Sequence, residues 1–296
     1  MRTQSIGMVG IGLMGQGIAY NILKAGYRLT VLDHPGNQPL DELQRMGVHI
    51  VSSLSALVAE VEIVILCVTG APQVEEIMTA PDGIVAHLRA DQIVIDCSTS
   101  LPETSRRMAH FCGEKRAHFL DAAMTRLPVH ARAGTLNLLI GGEAALVESV
   151  KSLLDCFSES MSVIGPVGSG HLMKLLHNYV SIGMVALLGE VAAHATQAGL
   201  SKELLLDVLN KGGGGGTALQ RISPYLLTGD AQSMAFTIHN AAKDLSYYQK
   251  TAEASDVAHV IAHSIASTLQ ACVDKGQGQH YLPELADLLK KLPEKN

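Results

Sequence analysis

The sequence predicts an α/β domain with a mainly parallel sheet covered on both faces by helices, then an all-α domain entered through a long helix. Three observations carry this. Short apolar runs alternate with helical patterns through the first half. A glycine-rich turn follows the first run and opens a helix. After about Gly165 the strand-like runs stop and long helical stretches take over.

In chain order, the runs fall at 6–9, 29–32, 63–68, 93–95, 119–120 and 136–140, each too uniformly apolar to face water on one side. The later helical stretches fall at 170–198, 202–210, 238–254 and 257–274. The expected division is 1–163 for the sheet domain and 164–296 for the helical one. Residues 212–216 are all glycine and interrupt two helical patterns, either as a hinge or as a loop of exposed backbone N–H groups.

The strongest local signal is VGIGLMGQGIAYNILKAGYRLTVLD, with glycines at 10, 12 and 15. Gly10 allows the tight turn, Gly12 lets the backbone of Ile11, Leu13 and Met14 approach a pyrophosphate, and Gly15 permits close packing of helix on strand. The amide-rich start of the following helix faces the anion. Gly26 is placed to end that helix. Asp33 closes the second strand, where a carboxylate accepts from both ribose hydroxyls and repels a 2′-phosphate; it therefore favours NAD over NADP. Together these predict a Rossmann-type dinucleotide-binding domain.

Composition excludes several other classes. The chain has 296 residues, 47% hydrophobic and 17% charged, enough apolar surface to offset ordering entropy. Its net charge is −6, with no cationic run to neutralise successive phosphates, so nucleic acid is not an expected partner. The apolar run 180–188 is about half a bilayer span and Glu190 follows, so no membrane is expected. Arg2 precedes an apolar stretch that lacks a signal-peptide cleavage region. Five dispersed cysteines without a CxxC pair fit reduced thiols and a cytoplasmic location better than disulfides or zinc. His259 and His263 have helix-face spacing but no third metal ligand nearby, so no metal is expected.

Beyond the glycine turn, four further motifs follow in order: IDCSTSLPETSR at 95–106, DAAMTRLPVHARAGTL at 121–136, GPVGSGHLMKLLHNY at 165–179, and KDL at 243–245. With GIGLMGxGIAxNxLKAGY they resemble the β-hydroxyacid dehydrogenase family, which includes 3-hydroxyisobutyrate dehydrogenase and tartronate semialdehyde reductase. The resemblance implies NAD(H)-dependent interconversion of a small anionic β-hydroxy acid and its semialdehyde, in a cleft between the domains. It also implies a homodimer or homotetramer built through the helical domain.

The resemblance makes Lys174 the catalytic acid/base and Asn178 the group that orients the reacting oxygen. The chemistry agrees: four residues apart they share a helix face, and a lysine beside a cationic ring titrates below its ordinary value of about 10.4. Neighbours Leu172, Leu175 and Leu176 suggest a mostly buried helix. Ser98 and Thr99 end a strand on the nicotinamide side, Thr99 as the better cofactor contact and Ser98 toward substrate; either could instead cap the helix before Pro102. Val68 and Thr69 stand where the family has Leu-Pro, without the proline. Lys243 reaches the cofactor from the helical domain, or forms a surface ion pair.

The substrate segment departs from the family's Ser-Gly-Gly, with Thr125, Arg126 and Leu127 in its place and His130 for a glycine. Arg126 offers a planar fork able to grip a carboxylate, sulfonate or phosphate, similar to the sulfolactaldehyde reductase branch; the alternative is a surface salt bridge. Two rival functions remain: imine reduction, against which the retained Lys174 argues, and a cofactor-binding scaffold without turnover.

Overall fold

A computed structural model of the chain describes residues 4–291, so Arg2 lies outside them. The chain divides into two compact units after Lys174.

In the first unit the described residues form an eight-stranded sheet in the order β3-β2-β1-β4-β5-β6-β7-β8. The strands are β1 (Ser5–Val9), β2 (Arg28–Leu32), β3 (His49–Val51), β4 (Ile63–Leu66), β5 (Ile93–Asp96), β6 (His118–Thr125), β7 (Leu136–Gly141) and β8 (Ser158–Gly165). All pairings are parallel except β6 with β7. Six of these were legible as apolar runs. The polar-rich β8, SESMSVIG, is half-exposed at the sheet edge and shows no such run. The three-residue β3 is too short to show one.

Helices cover both faces: α1 (Leu13–Lys24), α2 (Asp41–Arg45), α3 (Leu54–Glu60), α4 (Ala71–Thr79), α5 (Ile84–His87), α6 (Pro102–Glu114), α7 (Pro128–Ala133) and α8 (Ala144–Leu154). One core gathers Ile6, Met8, Ile18, Ile22 and Phe157, and the other Leu57, Val64, Met78, Val94 and Met108. Burial of a side chain of this size contributes about 1.5–3 kcal/mol. Helix α1 ends at Ala25, and Gly26 follows in left-handed backbone at φ +83°, as the sequence suggested.

Helix α9 (Ser169–Gln197) begins in the first unit and continues into the second. The second unit adds α10 (Lys202–Lys211), α11 (Thr217–Thr228), α12 (Ile238–Ala254), α13 (Val260–Cys272) and α14 (Leu285–Leu288). Helix α11 escaped the sequence pattern because Pro224 lies inside it.

One expectation about α9 is corrected. It is apolar but not mostly buried: Leu172, Leu176, Val180, Met184, Leu187 and Val191 form an exposed stripe. By length and composition it could also cross a bilayer, with mean hydropathy 1.4 and 44% of that window buried, a test that a core helix of a soluble protein passes equally. Glu190 on the same helix is exposed.

Candidate active site

The glycine turn is built by steric necessity at two positions and by openness at the third. Gly10 has φ +95°, and a Cβ there would collide with the Cys67 carbonyl. A Cβ on Gly15 would strike the Gly10 carbonyl oxygen. At Gly12 a Cβ would meet nothing within 4 Å, although the residue caps α1 without any side-chain hydrogen bond. The first intrahelical bond of α1 is Gln16 N to Gly12 O at 2.9 Å, so the amides of exposed Leu13, half-buried Met14 and Gly15 lie ahead of the ladder. This is a fit for a dinucleotide pyrophosphate: the glycine without a protein neighbour is the one beside those amides. Ile11 plays another part. It is buried, its N–H donates to Asn37 Oδ1 at 3.1 Å, and its carbonyl accepts from Gln38 N at 2.7 Å, so the loop after β2 grips the turn. Asp33 is exposed at the end of β2, its N–H donating to Val51 O at 2.8 Å.

Two residues missed from the sequence hold α1 in place. A Cβ on Gly17 would come within 2.6 Å of Ala131 backbone, so the glycine allows α1 to lie against α7. Asn21 donates to Ala131 O at 2.9 Å and Arg132 O at 3.2 Å, satisfying carbonyls at the end of α7.

At the ends of β4 and β5, Ser98 is buried and its hydroxyl accepts from Val68 N at 3.0 Å, while its own N–H donates to Asp96 Oδ1 at 2.9 Å. Thr99 is half-buried and Thr69 exposed. Neither Ser98 nor Thr99 caps α6: its cap residue is Leu101, with no side-chain bond. Cys67 and Cys97 follow β4 and β5. Burial pushes the Cys67 thiol up to about 12 and the Cys97 thiol well above its ordinary value.

A buried polar cluster beyond these strand ends was not legible in the sequence. Asp121 of β6 is fully buried and accepts from Gly168 N at 2.6 Å and His171 N at 2.8 Å, anchoring the start of α9. Burial raises its carboxyl above the usual range, against the lowering influence of His171 and the two N–H donors. Gly141 and Gly170 leave room for that carboxylate; a Cβ on Gly170 would sit 2.8 Å from Asp121 Oδ2. Lys174 lies one turn further along α9, half-buried.

In the second unit Asn178 is buried and its amide donates to Asp244 Oδ2 at 2.6 Å. Lys243 Nζ lies 2.9 Å from Asp244 Oδ1. The structure thus joins two expected site residues, Asn178 and Lys243, through a carboxylate that sequence reading passed over although it sits inside the KDL motif. Both ion-pair partners are buried enough for the pair to be more than a surface ornament, with 17% and 3% of their side chains exposed.

The substrate segment closes β6 and opens α7. Thr125 is buried at the end of β6. Arg126 is non-glycine at φ +80°, a left-handed conformation costing an ordinary residue about 1 kcal/mol. Its Nη1 donates to Thr135 O at 2.6 Å and pairs with Glu159, the salt bridge that sequence reading held as the alternative. Leu127 is the cap residue of α7, and its N–H donates to His130 Nδ1 at 3.4 Å. His259 and His263 turn to separate partners, Glu253 at 3.4 Å and Gln249 at 3.2 Å.

Two family models match nearly the whole described chain: the NAD binding domain of 6-phosphogluconate dehydrogenase over residues 5–165, and the NAD-binding domain of NADP-dependent 3-hydroxyisobutyrate dehydrogenase over 168–288. The chain belongs to the β-hydroxyacid dehydrogenase family. Among its relatives, an NAD-dependent L-serine dehydrogenase of Pseudomonas aeruginosa is 29% identical over 85% of this chain and 86% of its own length. A 3-hydroxyisobutyrate dehydrogenase of the same organism is 30% identical over 74% of each. The solved structure of Mycobacterium tuberculosis 3-hydroxyisobutyrate dehydrogenase with L-serine superposes with a TM-score of 0.86 at 21% identity, covering 98% of this chain and 100% of that one, which shows the shared fold. The protein is therefore an NAD(P)-dependent oxidoreductase of this family.

Proposed function

We propose that the protein interconverts a small β-hydroxy acid, carboxylate or sulfonate, and its semialdehyde, using NAD(H) in preference to NADP(H). The observation that carries the reading is the arrangement along α9: Lys174 one turn after the Asp121 anchor, and Asn178 one turn further with its amide held by Asp244. The nicotinamide supplies the chemistry of accepting or delivering hydride. Lys174 moves the proton at the hydroxyl oxygen: it takes that proton in oxidation and returns it to the carbonyl oxygen in reduction. Asn178, its amide fixed by Asp244, orients that oxygen.

The amides of Leu13 and Met14 beside Gly12 hold the pyrophosphate, Asp33 the adenosine ribose, and Val68, Thr69, Thr99 and Lys243 the remainder of the dinucleotide. That two Pseudomonas relatives are an L-serine dehydrogenase and a 3-hydroxyisobutyrate dehydrogenase supports the substrate class, since serine and 3-hydroxyisobutyrate are both β-hydroxy acids. Ser98, whose hydroxyl accepts from Val68 N and keeps its own hydrogen to donate, contacts the substrate together with Thr125, Arg126 and Leu127. Sulfolactaldehyde reductase activity is the narrower form of the reading and rests on Arg126. The exposed apolar stripe of α9 supports a homodimer or homotetramer, and the free thiols support a cytoplasmic setting.

Steady-state assays with both cofactors against β-hydroxy acids and semialdehydes, sulfonated ones included, test it. Lys174→Ala is expected to lower kcat by roughly 10²–10⁴-fold while NADH still binds. Cofactor binding without turnover on every substrate would overturn the reading in favour of a scaffold.

A further inference from the structure

Three residues before Lys174 on α9 stands His171, and its side chain is completely buried. Its Nδ1 is 2.6 Å from Ser105 Oγ of α6, itself fully buried. Its Nε2 is 3.1 Å from the Ser98 carbonyl oxygen. A carbonyl only accepts, so Nε2 carries the hydrogen of that bond. Asp96 Oδ2 and Asp121 Oδ2 lie 4.0 and 3.9 Å from the ring nitrogens. Burying an imidazole costs free energy unless both nitrogens are paired, and an aliphatic side chain would fill the same space without that demand. What the imidazole adds is direction.

Through Ser98 the link reaches two strands. The Ser98 N–H is held by Asp96 at the end of β5, and its hydroxyl holds Val68 N just past β4. These are carboxyl ends of parallel strands, where an open α/β sheet receives its dinucleotide. One side chain therefore ties the first turn of α9 to the Ser98–Thr99 turn and, through it, to Val68.

We propose that His171 is a positioning residue: by donating to the Ser98 carbonyl it fixes the strand-end turn that borders the dinucleotide against the helix turn that carries Lys174. The proposal rests on the reaction assigned above, and its test separates the two. Three full-length variants are compared: His171→Leu removes both links, His171→Gln places an amide N–H where Nε2 stood, and His171→Asn reaches only the place of Nδ1. Readouts are the thermal midpoint, the NADH dissociation constant by fluorescence titration, and kcat with KM for the hydroxy acid.

The leucine variant is expected to lose about 10²-fold in kcat, the scale on which small misplacements act, with KM for the acid unchanged and NADH affinity weakened. Glutamine restores both kcat and NADH affinity, and asparagine does not. Should the leucine variant fail to fold, the contrast between glutamine and asparagine decides alone. Equal behaviour of those two in kcat and NADH affinity would overturn the proposal, as would a folded leucine variant with wild-type values. If the wild-type chain turns over no substrate, the assigned reaction falls, yet the order of NADH affinities still supports or refutes the link.

Discussion

Replacing Gly12 and Gly15 separately by alanine distinguishes a glycine kept for a ligand from one kept for the fold. At Gly15 the added methyl would overlap the Gly10 carbonyl oxygen, and the only relief is movement of backbone. Overpacking of this kind costs about 1–3 kcal/mol. In a unit of this size the thermal midpoint then falls by up to roughly 10 °C, at about 2–4 °C per kcal/mol. At Gly12 the methyl meets no protein atom within 4 Å, and φ −78° with ψ −163° is open to alanine. The remaining cost is that of alanine at a helix cap, about 1 kcal/mol or less, hence a fall of a few degrees. The methyl does, however, stand beside the leading amides of α1. Losing one charge-assisted hydrogen bond there costs about 1.5–3 kcal/mol, which raises the NADH dissociation constant roughly 10- to 100-fold. Differential scanning fluorimetry and calorimetric titration of NADH read the two effects independently. A Gly12→Ala protein that binds NADH as tightly as the wild type would refute the assignment of this turn to the pyrophosphate.

Other perturbations have equally definite outcomes. Asp33→Ala should lower the ratio of kcat/KM for NAD over NADP by about tenfold or more, and an unchanged or NADPH-favouring wild-type ratio removes the ribose role of Asp33. Arg126→Ala should raise KM for acidic substrates about tenfold if the guanidinium turns from Glu159 to a substrate anion; an identical KM across the acids returns Arg126 to the surface pair alone. Because burial raises the Asp121 carboxyl, the folded chain keeps a proton there that the unfolded chain has already released. That contribution to stability is complete below the ordinary carboxylate range and is lost as pH rises through the raised value. Asp121→Asn should therefore flatten the dependence of urea unfolding on pH just above about pH 4. The buried thiols of Cys97 and Cys112, both pushed up by burial, should resist iodoacetamide at neutral pH while half-buried Cys156 labels first, as mass spectrometry of the folded protein would show.

The parts of the molecule legible in the sequence are those written in local spacing. Six strands carry short apolar runs, the turn at Gly10 to Gly15 fixes its own geometry, and the long helix expected at 170–198 is found as Ser169–Gln197. Strand β8 was hidden because half-exposed side chains need no apolar run, and α11 because proline inside a helix reads as a boundary. The buried polar groups were hidden for a different reason. His171 meets Ser105 across 66 residues of sequence, and Asn178 meets Asp244 across another 66. Partners that distant leave no periodicity, and a lone polar residue in a sequence does not announce whether it is solvated or paired. Arg126 shows the same limit: its side chain suggests anion binding, but Glu159 became its neighbour only when β8 was placed beside β7.

The backbone at Arg126 has a consequence for redesign. A left-handed dihedral is indifferent to glycine and unfavourable to arginine, so position 126 is a site where conformational ease and cationic character pull in opposite directions. Reverting it to glycine would relax the chain and discharge the loop in one step. If Arg126 grips the substrate's anionic end, selectivity for acidic compounds and robustness of the scaffold would then shift against each other, and variants screened for heat tolerance alone would drift toward neutral substrates.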